Sequence, residues 1–293
     1  MTAAPAPGEV PDLFAALLDD AAVYPPAEAP LPAALAEHRA HFRSWYSAVL
    51  GPLVVPAASV DALLVELDST GAEDGPLGVS LTARAGDQDA LERVAVAAAD
   101  QRLRVHALEV AVPADALDEL SRLAAHVPSG AVLYAEPHSL LGLADLAVVL
   151  DLGEVPTRVK LRTGGTDASA FPTDGHLASA ITACVGRGMS FKCTAGLHHA
   201  VRHRDPTTGF EHHGFLNVLL AVDAAVEGAD VAIVADRLAL RDADAVTSEV
   251  ADLSPAAGDA VRQAFASLGT CSITEPIEDL VSLGLLARAT EPG

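Results

Sequence analysis

Apolar positions along this chain follow two alternating rhythms. Short runs such as LVVP (53–56), LGVSLTA (77–83), LRVHALEVAVP (103–113) and AVLYAEP (131–137) are rich in branched residues and read as strands. Between them lie longer stretches with apolar residues every three to four positions, at about 59–68, 87–101, 114–125 and 139–149, which predict helices. The alternation continues through RVKLRTGG (158–165), a helix at 173–187, SFKCTAG (190–196), a helix at 214–227 and the run ADVAIVA (229–235). It closes with a helix at 255–268, TCSIT (270–274) and a final short helix. Eight strand segments separated by helices predict an α/β protein with a parallel sheet, and a (β/α)8 TIM-like barrel is the most economical closure. An open doubly wound sheet is the alternative, but no GxGxxG follows the first strand, which argues against its dinucleotide-binding form.

The first 50 residues differ in character. Residues 12–22 and 33–50 carry helical spacing, and the Pro-rich YPPAEAPLP between them breaks the helix. This predicts an N-terminal helical cap over 1–50, ahead of a catalytic barrel domain over 51–293. The PPAEAP segment reads as a rigid connector; a lid across the barrel mouth or a contact in a homo-oligomer is the alternative.

Composition narrows the function classes. The formal net charge of −22 repels phosphate backbones and anionic lipid, so neither nucleic acid nor a membrane surface is the expected partner. No run reaches 18 apolar residues, and the first residues have no basic n-region, so neither a membrane span nor a secretory signal is predicted. Three widely spaced cysteines (Cys184, Cys193 and Cys271) without CxxC fit free thiols in a cytoplasmic protein.

Of 18 basic side chains only two are lysines, Lys160 in VKLRTGG and Lys192 in FKCTAG. A guanidinium stays charged, whereas an ammonium can lose its proton and become a nucleophile. Alternation along a strand puts Lys160 and Arg162 on one face and Lys192 and Thr194 on one face of the next. In a barrel these faces point inward at the carboxyl ends of the strands, where ligands bind. Two amines in one cavity would lower a lysine pKa by desolvation and like charge. The Thr163–Gly164–Gly165 turn offers backbone N–H groups to an anion. Residues 157–213 hold seven of the 18 Lys and Arg, six of the 11 His and only four of the 40 acidic residues. That basin predicts a small anionic substrate, a phosphate ester or a carboxylate.

The pair VKLRTGG and FKCTAG, with its lysines 32 residues apart, resembles the deoxyribose-phosphate aldolase family. That family carries Lys-x-Ser-Thr-Gly on one strand and Lys-x-x-Gly-Gly on a second. The resemblance spans about 40 residues. It implies a class I aldolase in which Lys160 forms the Schiff base and Lys192 lowers its pKa. Arg162 stands where the family has serine, and CTAGLHH lacks the paired glycines. TAGLHH and HGFLN also resemble a family of uncharacterised bacterial proteins, from which no activity carries over.

The loops add histidines and carboxylates. His198 or His199 is placed to move protons near Lys192, and Glu136 or Glu109, at strand ends, is the candidate proton shuttle. A salt bridge from either carboxylate to Arg162 or Lys192 is the competing reading. His213 and Asn217, in HGFLN, are candidate substrate contacts. Cys271 beside Glu275 is a candidate nucleophile. His198, His199, His203, His212 and His213 supply ligands for the alternative, a zinc-dependent hydrolase or lyase, although no HxH or HExxH spacing occurs. The leading expectation is a lyase that works without cofactor on a small anionic carbonyl compound; a non-enzymatic anion-binding barrel is the third reading.

Overall fold

The computed structural model describes residues 6–70, 75–113, 119–140, 143 and 157–289. Eight parallel strands close into a barrel in the order β1-β10-β7-β6-β5-β4-β3-β2, the TIM-like α/β architecture. The strands are β1 (Leu18–Asp20), β2 (Leu50–Pro56), β3 (Leu77–Arg84), β4 (Leu103–Val112), β5 (Val132–Pro137), β6 (Thr157–Arg162), β7 (Phe191–Thr194) and β10 (Phe265–Thr270). A two-stranded antiparallel hairpin, β8 (His203–Arg204) with β9 (Glu211–His212), lies in the loop after β7.

Each strand sends branched residues outward to the helices and polar residues inward. In β6, Val159 and Leu161 are fully buried in the outer layer, while Lys160 and Arg162 take the inner face. The outer core joins Leu53, Val55, Val79, Leu81, Leu108, Val110, Phe191 and Cys193 to the flanking helices. These include α1 (Leu31–Phe42), α2 (Val60–Thr70), α3 (Gln88–Ala99), α4 (Glu119–Ala124) and α5 (Asp174–Gly186). Part of the helix expected at 114–125, and all but three residues of the one at 139–149, lie outside the described residues.

The count of eight strands is right, but two members of the set are not as expected. The N-terminal region is not a cap. Residues 18–20 form β1, which pairs with both β2 and β10 and closes the barrel, and α1 is the crossover from β1 to β2. A three-residue strand buried on both sides has no polar alternation, so its pattern resembles one turn of helix. The expected second helix stops at Phe42, and Leu50 already belongs to β2.

The run at 229–235 is helical, not extended. Asp230 caps it by accepting the N–H groups of Ala232 and Ile233 at 3.1 Å each. Val234 and Leu238, one turn apart, are buried, while Val231 and Ile233 are exposed. Four helices therefore separate β7 from β10: α6 (Phe215–Val226), α7 (Val231–Ala239), α8 (Ala243–Ala251) and α9 (Pro255–Ala264). The last strand starts at Phe265, five residues earlier than TCSIT suggests, and α10 (Thr274–Ser282) follows it. Among the described residues no helix is long and apolar enough to cross a membrane.

Candidate active site

β6 and β7 pair in register, with Lys160 opposite Lys192 and Arg162 opposite Thr194. The two amines therefore stand side by side on the inner wall, as the alternation predicts. What surrounds them is different from the expected positive basin. Lys160 Nζ lies 2.9 Å from Glu109 Oε2 and 3.1 Å from Glu136 Oε2. Lys192 Nζ donates to Glu109 Oε1 at 2.6 Å and to Asp19 Oδ2 at 2.5 Å. Arg162 donates from Nε to Glu136 Oε1 at 2.7 Å. Three cations thus face three carboxylates, and Glu109 bridges the two amines. The competing salt-bridge reading of Glu109 and Glu136 is the one realised in this ground state.

The hydroxyls of Ser80 and Ser267 complete the shell. Ser80 donates to Glu109 Oε1 at 2.6 Å and Ser267 to Asp19 Oδ2 at 2.7 Å. Gly51 on β2 makes room for Asp19, because a Cβ there would lie 2.1 Å from Asp19 Oδ1. Asp19 and Ser267 carried no local signal in the sequence; Asp19 meets Lys192, and Ser267 meets Asp19, because β10 inserts between β1 and β7.

Burial sets the electrostatics. It would lower the Lys192 ammonium, but Asp19 and Glu109 outweigh it and raise the group above the ordinary lysine range. Burial also raises Glu109, yet Lys160 and Lys192 overcome this and hold its carboxyl below the usual range. At Asp19 burial wins: the carboxyl is raised despite Lys192, with Glu109 adding to the effect. Lys192 is therefore a permanent cation at neutral pH. Glu109 stands between it and Lys160, bonded to both amines.

Access falls off steeply down the barrel. The side chain of Arg162 at the mouth is 49% exposed, that of Lys160 is 9% exposed and that of Lys192 is 2% exposed. The loop after β1 lies over the same mouth, because Tyr24 reaches across to Thr82 on β3, with 2.6 Å between hydroxyl oxygens. The Pro-rich segment follows Tyr24 in this loop.

Several candidates have structural work instead. The Thr163 hydroxyl is buried and donates to Ala195 O at 2.5 Å, so it ties the β6 and β7 loops together. Gly164 and Gly196 lie back to back: a Cβ on Gly164 would meet Gly196 Cα at 2.8 Å, and Gly196 has φ +77°. The Thr163–Gly164–Gly165 turn is thus a packing device; Gly165 similarly abuts Ala170. Thr194 remains partly exposed at the mouth.

His213 is buried, with Nε2 donating to Pro172 O at 2.9 Å and Nδ1 accepting from Arg202 at 3.1 Å. Asn217 is fully buried: its amide donates to Arg237 O and Leu240 O at 2.9 Å, and its oxygen accepts from Arg202 N. Both are buried and clamp loops in this arrangement. His199 pairs with Asp279 at 3.1 Å and His198 with Glu275 at 3.1 Å, whereas Lys160 and Lys192 pair with carboxylates.

His203 and His212 stack on each other with ring centroids 5.1 Å apart. Among the described residues no three His, Cys, Asp or Glu side chains are grouped to hold a metal. The loop histidines therefore do not assemble the ligand set that a zinc site needs.

Comparison of the chain with protein-family models, with curated proteins and with solved structures found no match.

Proposed function

We propose that this barrel is an enzyme of the imine-forming lyase type, with Lys160 as the amine that attacks a small anionic carbonyl compound. The observation that carries the reading is the placing of Lys160. It sits on the inner wall near the carboxyl end of β6, reachable from the mouth, between two carboxylates and beside a second, deeper lysine. TIM barrels hold their chemistry at this end.

In this scheme the anionic group of the substrate pairs with the half-exposed Arg162 guanidinium and loosens its hold on Glu136. Glu136, 3.1 Å from Lys160 Nζ, takes the proton that leaves the amine. The neutral amine adds to the carbonyl carbon, and Glu136 returns the proton to the developing alkoxide. Loss of water then gives the protonated imine, with Glu109 retained as its counter-ion and Lys192 holding Glu109 ionised. The proton work expected of His198 or His199 falls to carboxylates because these are within hydrogen-bonding distance of the amine.

Borohydride trapping with a panel of small aldehydes and keto acids, followed by mass mapping, tests the scheme. The expected result is an adduct on Lys160 that is absent in Lys160→Arg. A protein that gives no adduct with any carbonyl is not an imine enzyme. The completeness of the ion-pair network favours a second reading, an anion-binding barrel in which Lys160 serves as a charge; that reading expects Lys160→Arg to retain ligand affinity.

A further inference from the structure

Cys271 is the first residue after β10, so it stands at the rim of the mouth, partly exposed. Its Sγ lies against the His198 ring, 3.7 Å from Nε2 and 3.9 Å from Nδ1. The Nδ1–H of the same ring donates to Glu275 Oε2 at 3.1 Å. That bond puts the proton on Nδ1 and leaves Nε2 as the ring's acceptor, so a small turn of the ring is what brings its lone pair onto the thiol. The three groups come from three elements: the loop after β7, the end of β10 and the first turn of α10.

We propose that Cys271 is a nucleophilic thiol, with His198 as its base and Glu275 as the carboxylate that orients the ring, and that it takes small uncharged carbon electrophiles, aldehydes in particular. The sulfur attacks the aldehyde carbon as its proton passes to His198 Nε2. The C=O π bond opens to an alkoxide, and the imidazolium returns the proton to that oxygen, giving a neutral hemithioacetal with no leaving group.

The surroundings select the electrophile. Burial raises the thiol above the ordinary cysteine range, and the charges of Glu275 and Asp20 raise it further. The sulfur is therefore a protonated thiol at rest, and the base is needed at the moment of attack. Burial lowers His198, against the pull of Glu275, so the ring is neutral and able to accept. The same two carboxylates repel an anionic reagent, whereas an uncharged one meets no such barrier.

Alkylation of the full chain with iodoacetamide and with iodoacetate, each followed by mass mapping, reads this directly. Cys271 should react while the buried Cys184 and Cys193 are spared. Iodoacetamide should be favoured over iodoacetate about tenfold more than it is with N-acetylcysteine. His198→Gln should slow the reaction at least about tenfold, Glu275→Gln should slow it less, and propionaldehyde should protect the wild-type thiol. Should His198→Gln unfold the chain, which reactive Cys184 would reveal, Glu275→Gln decides in its place. Equal rates in wild type and variant, or no protection by propionaldehyde, would overturn the proposal. The Lys160 reading is separable: borohydride trapping in Cys271→Ser should still label Lys160, and failure there with an intact Cys271 response defeats the imine scheme alone.

Discussion

Replacing Lys192 by methionine isolates the buried cation on which the inner cluster depends. The ammonium makes two short hydrogen bonds, 2.5 Å to Asp19 and 2.6 Å to Glu109, and is almost wholly buried. Charge-assisted bonds of this kind contribute about 1.5–3 kcal/mol each. Removing one partner of a buried ion pair costs about 3–5 kcal/mol, because the charges left behind cannot reach water. The two estimates agree, and for a chain of this size they correspond to a fall in Tm on the order of 10 °C.

The loss should depend on pH in a definite direction. Without the cation, Asp19 faces Glu109 with no ammonium between them, and its carboxyl moves further above the unfolded value, while Glu109 keeps Lys160 and Ser80. Native protein then binds more protons than unfolded protein, so stability falls as pH rises and recovers as pH drops from 7 toward 5. Wild type has Asp19 raised but Glu109 lowered, so its response over that window is smaller. Thermal unfolding of both proteins at pH 5, 6 and 7 measures the difference. A Lys192→Met protein within about 1 kcal/mol of wild type at pH 7, or one that parallels wild type across the window, would refute the account of the cluster.

Gly51→Ala should be nearly as harmful as losing the lysine, since its Cβ would lie 2.1 Å from the Asp19 carboxylate; a loss of about 2–4 kcal/mol in chemical denaturation is expected. Gly196→Ala combines a strained φ of +77° with a contact of 3.0 Å to Gly164 and should cost about 1–3 kcal/mol. Tyr24→Phe removes the hydroxyl contact with Thr82 and should cost only about 0.5–1.5 kcal/mol, while hydrogen exchange across residues 21–29 speeds up; unchanged exchange would mean that the loop is held by other contacts.

The parts legible in the sequence are those governed by local rules. Alternation along VKLR and FKCT puts both lysines and Arg162 on the inner wall, and the register of β6 with β7 makes Lys160 and Lys192 neighbours. Helix caps and apolar periodicity give most elements to within a few residues. The misplaced strand at 229–235 shows the limit: a short apolar run fits either period, and Asp230 as a cap decides it for helix. β1 has the opposite difficulty, being too short and too uniformly buried to show any period. The charge partners of the lysines were visible as Glu109 and Glu136 at strand ends, but their separation in space was not. Asp19 was hidden altogether, because its contact with Lys192 spans 173 residues and depends on barrel closure.

That closure has a consequence for how the protein is made. The strand that seals the cylinder is the last to be synthesised: β10 lies between β1 and β7, and four helices are produced before it emerges. Until residues 265–270 leave the ribosome, β1 and β7 are raw sheet edges and Asp19 has neither Ser267 nor a fixed wall beside it. A nascent chain halted before residue 265 should accordingly be protease-sensitive and sticky, and nascent chains should lock into place abruptly once the final strand is free.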